Sequence, residues 1–278
     1  MQEINNTLVV VGVQWGDEGK GKMTDYLGQK ADVVVRYQGG NNAGHTITFG
    51  GNKYALQSIP SGVFNPHIKN VMANGMVINP KAAIAELEGL KQRGITDFQL
   101  FISDRAAVIM PYHIALDGAY EALKGGKQIG TTKKGIGPAY CDKYSRVGIR
   151  IGDLIDPEYF AERLRDALTQ KNVELRALGL EEMDFDTLYN EFLAYGEVLR
   201  PYICDTSILL NKEIEEGKYT LIDEDIERKM YHKTENILEK NGYNHYEISN
   251  FAKEGYESKH NMNCWKQKEY VGIGAAAH

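Results

Sequence analysis

The chain is predicted to be an α/β protein built around a mainly parallel sheet. Three observations carry this expectation. Two apolar, β-branched runs, TLVVVGVQW at Thr7–Trp15 and ADVVVRY at Ala31–Tyr37, have the unbroken hydrophobicity of strands covered on both faces. Each run leads directly into a loop crowded with glycine and small polar residues, GDEGKGK after the first and GGNNAGHT after the second. Amphipathic helical segments alternate with short apolar runs further along, the pattern of strands joined by crossover helices.

After the first loop a helix is expected around Met23–Gly28. Short strands are expected near Asn70–Met72 and Phe98–Ile102. Between them a helix over Pro80–Arg93 stops at Gly94. From Asp156 to Gly217 the pattern turns helical. Pro157 suits a first helical turn, and Leu164, Leu168, Leu175 and Leu178 recur at helical spacing. A second helix is expected over Phe185–Leu199; Pro201 interrupts it, and helix resumes to Glu216. Asp223–Lys240 reads as one more amphipathic helix, capped by Asp223 and stopped at Asn241-Gly242. Tyr246–Phe251 and Tyr270–Ile273 read as short strands.

The chain has 278 residues and a formal net charge of -6. That balance disfavours general nucleic-acid binding, which needs a broad basic surface, but leaves room for a local basic cluster around a small anion. Cys141, Cys204 and Cys264 are widely spaced, which excludes a CxxC zinc pair or a disulfide framework and suits a reducing compartment. No apolar stretch has the length of a membrane span and no secretory leader is evident, so a cytoplasmic protein without membrane partners is expected.

Three segments carry chemistry. Gly16-Asp17-Glu18-Gly19-Lys20-Gly21-Lys22 joins a strand to a helix, so its backbone amides, the helix N-terminus and two lysines suit bound phosphates. It resembles a P-loop in which Met23 replaces the usual Ser or Thr, and Asp17 is the candidate to hold a divalent cation in place of that hydroxyl. The second segment is Gly39-Gly40-Asn41-Asn42-Ala43-Gly44-His45-Thr46. In a parallel sheet it faces the same crevice as the first; Asn42 can bond a base or phosphate, and His45 can serve as an acid. The third is a basic loop over Lys124–Arg150. Its lysines and arginines (Lys124, Lys127, Lys133, Lys134, Lys143, Arg146 and Arg150) face a single acid, Asp142, and are interleaved with Gly130-Thr131-Thr132 and Gly135-Ile136-Gly137-Pro138. Hydroxyls, glycine amides and guanidinium groups together suit a nucleotide monophosphate.

QWGDEGKGK at Gln14–Lys22, RYQGGNNAGHT at Arg36–Thr46 and GIGPAYCDKYSR at Gly135–Arg146 resemble the signatures of adenylosuccinate synthetases, and the resemblance runs from about Leu8 to about Lys218. It implies GTP-dependent joining of IMP to L-aspartate with magnesium, a step of purine biosynthesis, in a homodimer. It further implies that Asp17 takes the proton from the IMP ring nitrogen and that His45 stabilises the purine 6-oxygen as phosphoryl passes to it. Gly16, Asp17, Glu18, Gly19, Lys20, Gly21, Lys22, Gly44, His45 and Thr46 would bind GTP. Asp17, Glu18, Gly19, Lys20, Asn42, Ala43, Gly44, His45, Thr132 and Arg146 would hold IMP, with Arg146 reaching into the partner's site. Asp17 and the Gly44 carbonyl would hold magnesium.

The resemblance stops near Lys218. The family's GAQG-type motif, its arginine-bearing aspartate loop and its NKLD-like guanine motif do not follow, so impaired turnover is expected; a non-catalytic module that binds IMP or GTP phosphates is the alternative. Tyr219–His278 instead resembles an internal segment of coproporphyrinogen-oxidase-like radical SAM proteins, the haem-chaperone group, on the strings YEISNFAK and GIGAAAH. That resemblance implies a small α+β tail. It also raises haem binding through His260, in a motif where Cys264 stands in place of a tyrosine.

Overall fold

The computed structural model describes residues 8–10, 20–42, 44–125, 130–215, 224–246 and 251–257. The chain divides into two compact units, Leu8–Lys218 and Met1–Thr7 with Tyr219–His278.

The larger unit is α/β with a parallel sheet, as expected. Strands β1 (Val33–Gly39), β4 (Lys69–Ile78), β5 (Gln99–Ser103) and β7 (Ile203–Cys204) lie in the order β1-β4-β5-β7, and β6 (Ala107–Val108) pairs with the C-terminal end of β4. Among the described residues every pairing between these strands is parallel. The antiparallel hairpin β2 (His45–Phe49) and β3 (Asn52–Leu56) stands off it. Among the described residues seven α-helices complete the unit: α1 (Lys20–Gly28), α2 (Pro80–Gln92), α3 (Pro111–Leu123), α4 (Ile136–Tyr144), α5 (Pro157–Ala177), α6 (Phe185–Leu199) and α7 (Thr206–Glu215).

Local chemistry explains most helix starts. Asn79, Asp156 and Asp184 each accept a backbone N–H of the first turn, from Ala82, Tyr159 and Thr187 respectively. Pro80, Pro111 and Pro157 occupy the opening turns of α2, α3 and α5, where a missing N–H does no harm. The core joins β4 and β5 to α2, α5 and α6 through Met72, Ile102, Leu87, Phe160, Leu164 and Phe192, all buried. Full burial of a side chain such as Phe160 contributes about 1.5–3 kcal/mol.

The structure departs from the sequence reading at several elements. Helix α1 spans Lys20–Gly28, so Lys20–Lys22, read from sequence as part of the glycine loop, are helical. Leu8, Val9 and Val10 form no strand, and Leu8 and Val9 are exposed; the rest of the expected strand Thr7–Trp15 lies outside the described residues. Strand β4 runs well past the expected Asn70–Met72, because its second half pairs with β1 and β6. The hairpin β2–β3, the helix α3 and the two-residue β7 were not foreseen. Most consequentially, the expected basic loop Lys124–Arg150 contains helix α4 in its second half.

In the smaller unit, α8 (Glu224–Lys240) is followed by an antiparallel pair, β8 (Asn244–His245) and β9 (Phe251–Ala252). Of the expected strand over Tyr246–Phe251, Tyr246 lies in no strand, Phe251 opens β9, and residues 247–250 lie outside the described residues. Glu235 of α8 accepts from both His232 (2.8 Å) and His245 (3.0 Å), and the His245 ring stacks on Phe251, clasping the hairpin to the helix. Asp223, the strand expected over Tyr270–Ile273 and the segment His260–Trp265 lie outside the described residues. Among the described residues no helix is long and apolar enough to cross a membrane.

Candidate functional site

The loop after β1 and the segment Gln57–Ile59 to which it is tied are held by three restraints. Arg36 of β1 donates to the carbonyls of Gln57 and Gly40. Glu86 of α2 accepts the N–H groups of Gln57, Ser58 and Ile59 at 2.9–3.1 Å. Burial pushes the Glu86 carboxyl above its usual range, although those amides and Arg36 pull it down. The third restraint is α4. Tyr140 Oη accepts the Gly39 N–H at 2.7 Å and donates to the Gly75 carbonyl at 2.9 Å, bridging the C-terminal end of β1 to β4. A Cβ on Gly40 would stand 2.5 Å from Ile136 Cδ1 and 2.8 Å from the Val77 carbonyl oxygen, so only glycine allows this approach of loop, strand and helix.

Beside this loop lies a cavity of about 560 Å³, walled by Asn42, by α3, α4 and α5, and by the segment Gly130–Thr132. Asn42 and Thr132, expected from sequence to act together, do share it, and both are exposed. Lys134 Nζ donates to the Asn41 carbonyl at 2.8 Å and ties the two loops. Asn41 itself is buried, and its Oδ1 has no hydrogen-bond partner among the described residues.

In the third segment, the amides of Gly130 and Gly135, expected to face a nucleotide monophosphate, point elsewhere. Gly135 N–H donates to Asp117 Oδ2 at 2.9 Å, and the Gly130 and Thr131 N–H groups donate to Glu121 Oε1 at 2.5 and 3.3 Å. An amide that donates to a buried carboxylate is not available to a ligand oxyanion. Side chains, Thr132 and Asn42 above all, remain as the donors of this wall.

Below the cavity three helices meet at a buried polar network. His113 Nδ1 accepts the Met110 N–H at 2.9 Å, so in the neutral ring Nε2 carries the proton and donates to Asp142 Oδ2 at 3.0 Å. Lys171 of α5 donates to Asp142 Oδ1 at 2.7 Å. Burial pushes the His113 imidazole below its ordinary value; Asp142 opposes this without overcoming it, and Lys171 adds to it. Burial raises the Asp142 carboxyl, but the hydrogen bonds from His113 and Lys171 outweigh burial and hold it below the usual carboxylate range.

The sign of the pH dependence follows. The unfolded chain protonates His113 near its ordinary pKa of about 6.5, while the fold favours the neutral ring. Stability is therefore complete above that pH and falls as pH drops toward the lower folded value. Asp142, also depressed, adds a further loss only below about pH 4. The thermal midpoint of the intact chain should fall between pH 7 and 5, and His113→Gln should be less stable at pH 7 but flatter over that interval. Equal slopes in the two proteins would remove His113 from the acid limb.

Arg146 is not part of this cavity. It lines a second one of about 430 Å³, with Asn74, Arg105, Lys143, Arg150 and Arg163. Its φ is +63°, at the turn that ends α4, where the Val147 and Gly148 N–H groups return to the Asp142 carbonyl. Glycine is the usual occupant of such a position, and arginine there costs about 1 kcal/mol of backbone strain.

The remaining sequence candidates divide cleanly. Lys20 and Lys22 are exposed in the first turn of α1, with Gly21 between them. Gly44 and Thr46 are exposed at the entry to β2. Gly16, Asp17, Glu18, Gly19 and Ala43 lie outside the described residues, as does the side chain of His45.

A family model for adenylosuccinate synthetase matches residues 9–225. The chain belongs to the adenylosuccinate synthetase family. Relatives bearing that name are 54% identical in Lacticaseibacillus paracasei and 52% identical in Geobacillus kaustophilus, each over 78% of this chain and 51% of the relative. The chain thus spans about half the length of the curated relatives it matches. A solved structure described as fully ligated adenylosuccinate synthetase from Plasmodium falciparum superposes with a TM-score of 0.66 at 38% identity, covering 74% of this chain and 48% of that one. The family resemblance read from Leu8–Lys218 is therefore correct. The radical SAM resemblance of Tyr219–His278 is supported by none of these comparisons.

The sequence reading missed His113, Asp117, Glu121 and Lys171. The signal was present in α3, where His113, Asp117 and Glu121 recur every fourth residue beside apolar Tyr112 and Leu116. Polar residues at helical spacing next to a core stripe mark a buried polar face.

Proposed function

We propose that this chain binds IMP and GTP and carries the residues for GTP-dependent ligation of IMP to L-aspartate. The observation that supports this most directly is the shared cavity of Asn42 and Thr132, at the end of the sheet where β1 and β4 finish, the usual ligand end of a parallel sheet. In this reading Asn42 and Thr132 hold the nucleotide monophosphate, and the lysines at the start of α1 hold the triphosphate with the helix N-terminus behind them. Asp17 removes the proton from the purine ring nitrogen, the γ-phosphoryl group of GTP passes to the 6-oxygen with GDP as the leaving group, and His45 supports the developing charge on that oxygen; the aspartate amine then displaces the phosphate from the ring. The work of these residues is placement and charge stabilisation.

Magnesium fits the donors available. The Asp17 carboxylate and the carbonyl of exposed Gly44 are hard oxygen ligands of the kind this ion takes, and when bound it would neutralise phosphate charge. The side chain of Arg146, presented from a strained turn among other cations, suits an anion supplied by or held in a second copy of the chain, consistent with a homodimer. A cytoplasmic setting accords with substrates of this class.

Calorimetry with IMP tests the reading. Thr132→Ala and Arg146→Ala are each expected to weaken IMP binding about tenfold or more, the scale of one lost charge-assisted hydrogen bond. An assay for GTP-, IMP- and aspartate-dependent product, abolished in Asp17→Asn, tests the chemistry. Binding without turnover would leave the chain a nucleotide-binding module; no IMP heat at all would end both.

A further inference from the structure

Helix α3 carries a row of buried polar side chains, His113, Asp117 and Glu121, at 0%, 8% and 3% exposure. Burying such groups is unfavourable unless their hydrogen bonds are made. His113 makes its bonds within the helical network described above. Asp117 and Glu121 make theirs almost wholly to one short segment, Gly130–Gly135. Asp117 accepts from the Thr131 hydroxyl at 2.9 Å and from Gly135 N–H; Glu121 accepts from the Gly130 and Thr131 N–H groups and, at 3.3 Å, from Lys124.

A relay runs through this segment. The Lys133 N–H donates to Thr131 Oγ1 at 2.9 Å, and that same hydroxyl donates to Asp117. Lys133 has φ +52°, a left-handed conformation that a lysine does not adopt without support. The bend lies between Thr132 and Lys134 and directs these neighbours to the cavity wall and to the Asn41 carbonyl.

We propose that Asp117 and Glu121 are positioning residues, holding Gly130–Gly135 in the bent form that presents Thr132 and Lys134 to the anionic group of a purine monophosphate. This rests on the nucleotide reading above and adds residues that reading does not contain. The carboxylates do not face the anion as bare charges, because backbone and hydroxyl donors already occupy them. Their negative charge also draws in the amides that would otherwise compete with Thr132 for the phosphate.

IMP affinity measured by calorimetry, with GTP affinity as the control, tests this. Thr131→Val keeps the shape and removes the relay, and Glu121→Ala removes the anchor of Gly130. Each is expected to weaken IMP at least tenfold while GTP binding stays within twofold. Glu121→Gln retains the Oε1 acceptor for both amides and should keep IMP affinity within threefold. If the carboxylate acted only as a charge, that variant would instead bind IMP more tightly. Thr131→Val is the mildest of these changes, and its circular dichroism and melting midpoint establish that it is folded. Unchanged IMP affinity in folded Thr131→Val and Glu121→Ala overturns the proposal alone. No IMP binding by the unsubstituted chain overturns the nucleotide reading and takes the proposal with it.

Discussion

Replacing Asp142 with alanine is expected to remove on the order of 3 kcal/mol of folding stability, the lower end of what breaking a buried ion pair costs. Asp142 is 5% exposed and is the common acceptor for His113 from α3 and Lys171 from α5. Its backbone carbonyl also receives the N–H groups of Val147 and Gly148 after α4. Without the carboxylate, a buried imidazole N–H loses its acceptor, and a lysine whose side chain is 13% exposed loses the nearer of its two carboxylate partners and keeps Glu174 at 3.4 Å. The loss falls at the lower end because that lysine can still turn toward the cavity and water. Asp142→Asn should cost less than Asp142→Ala, since the amide oxygen still accepts one bond. Urea unfolding of the three proteins checks the order. Equal midpoints would mean the network contributes nothing to stability.

The second large effect is expected at Gly135. Its φ is +75°, and a Cβ there would lie 2.9 Å from the His113 carbonyl carbon and the Ile114 nitrogen, both main-chain atoms. Left-handed strain and overpacking against backbone together predict a loss of roughly 2–4 kcal/mol for Gly135→Ala. The cost is large because no side-chain rotation relieves the contact; α3 and α4 must separate, and the Asp117 bond to Gly135 N–H goes with them. Gly137, two residues on and inside α4, supplies the control. It has open space where a Cβ would go, so Gly137→Ala should stabilise by about 0.5–1 kcal/mol. A Gly135→Ala protein as stable as Gly137→Ala would show that the two helices do not touch as described.

How much of this was legible beforehand depended on range. The caps of α2 and α5, with Asn79-Pro80 and Asp156-Pro157 in adjacent positions, are local chemistry and could be read directly. So could the continuous apolar run of β1. The hairpin β2–β3 is equally local, since HTITF and NKYAL flank Gly50-Gly51. Helix α4 was hidden because Gly135, Gly137 and Pro138 look like loop residues. In the fold Gly135 supplies the left-handed turn before the helix, and Pro138 sits in its first turn, where a missing N–H costs nothing. The two-residue strand β7 exists only because β5 offers it an edge.

By itself the sequence determined the family and the parallel α/β class, because these rest on motifs and on the periodicity of short segments. Tertiary structure alone decided where the loop amides point, that Arg146 occupies a cavity apart from Thr132, and that α3 underlies the site with a buried polar row. Hydrogen-bond partners far apart along the chain are chosen by packing, and no window of neighbouring residues contains both ends of the bond between Gly135 and Asp117 or of that between Lys171 and Asp142.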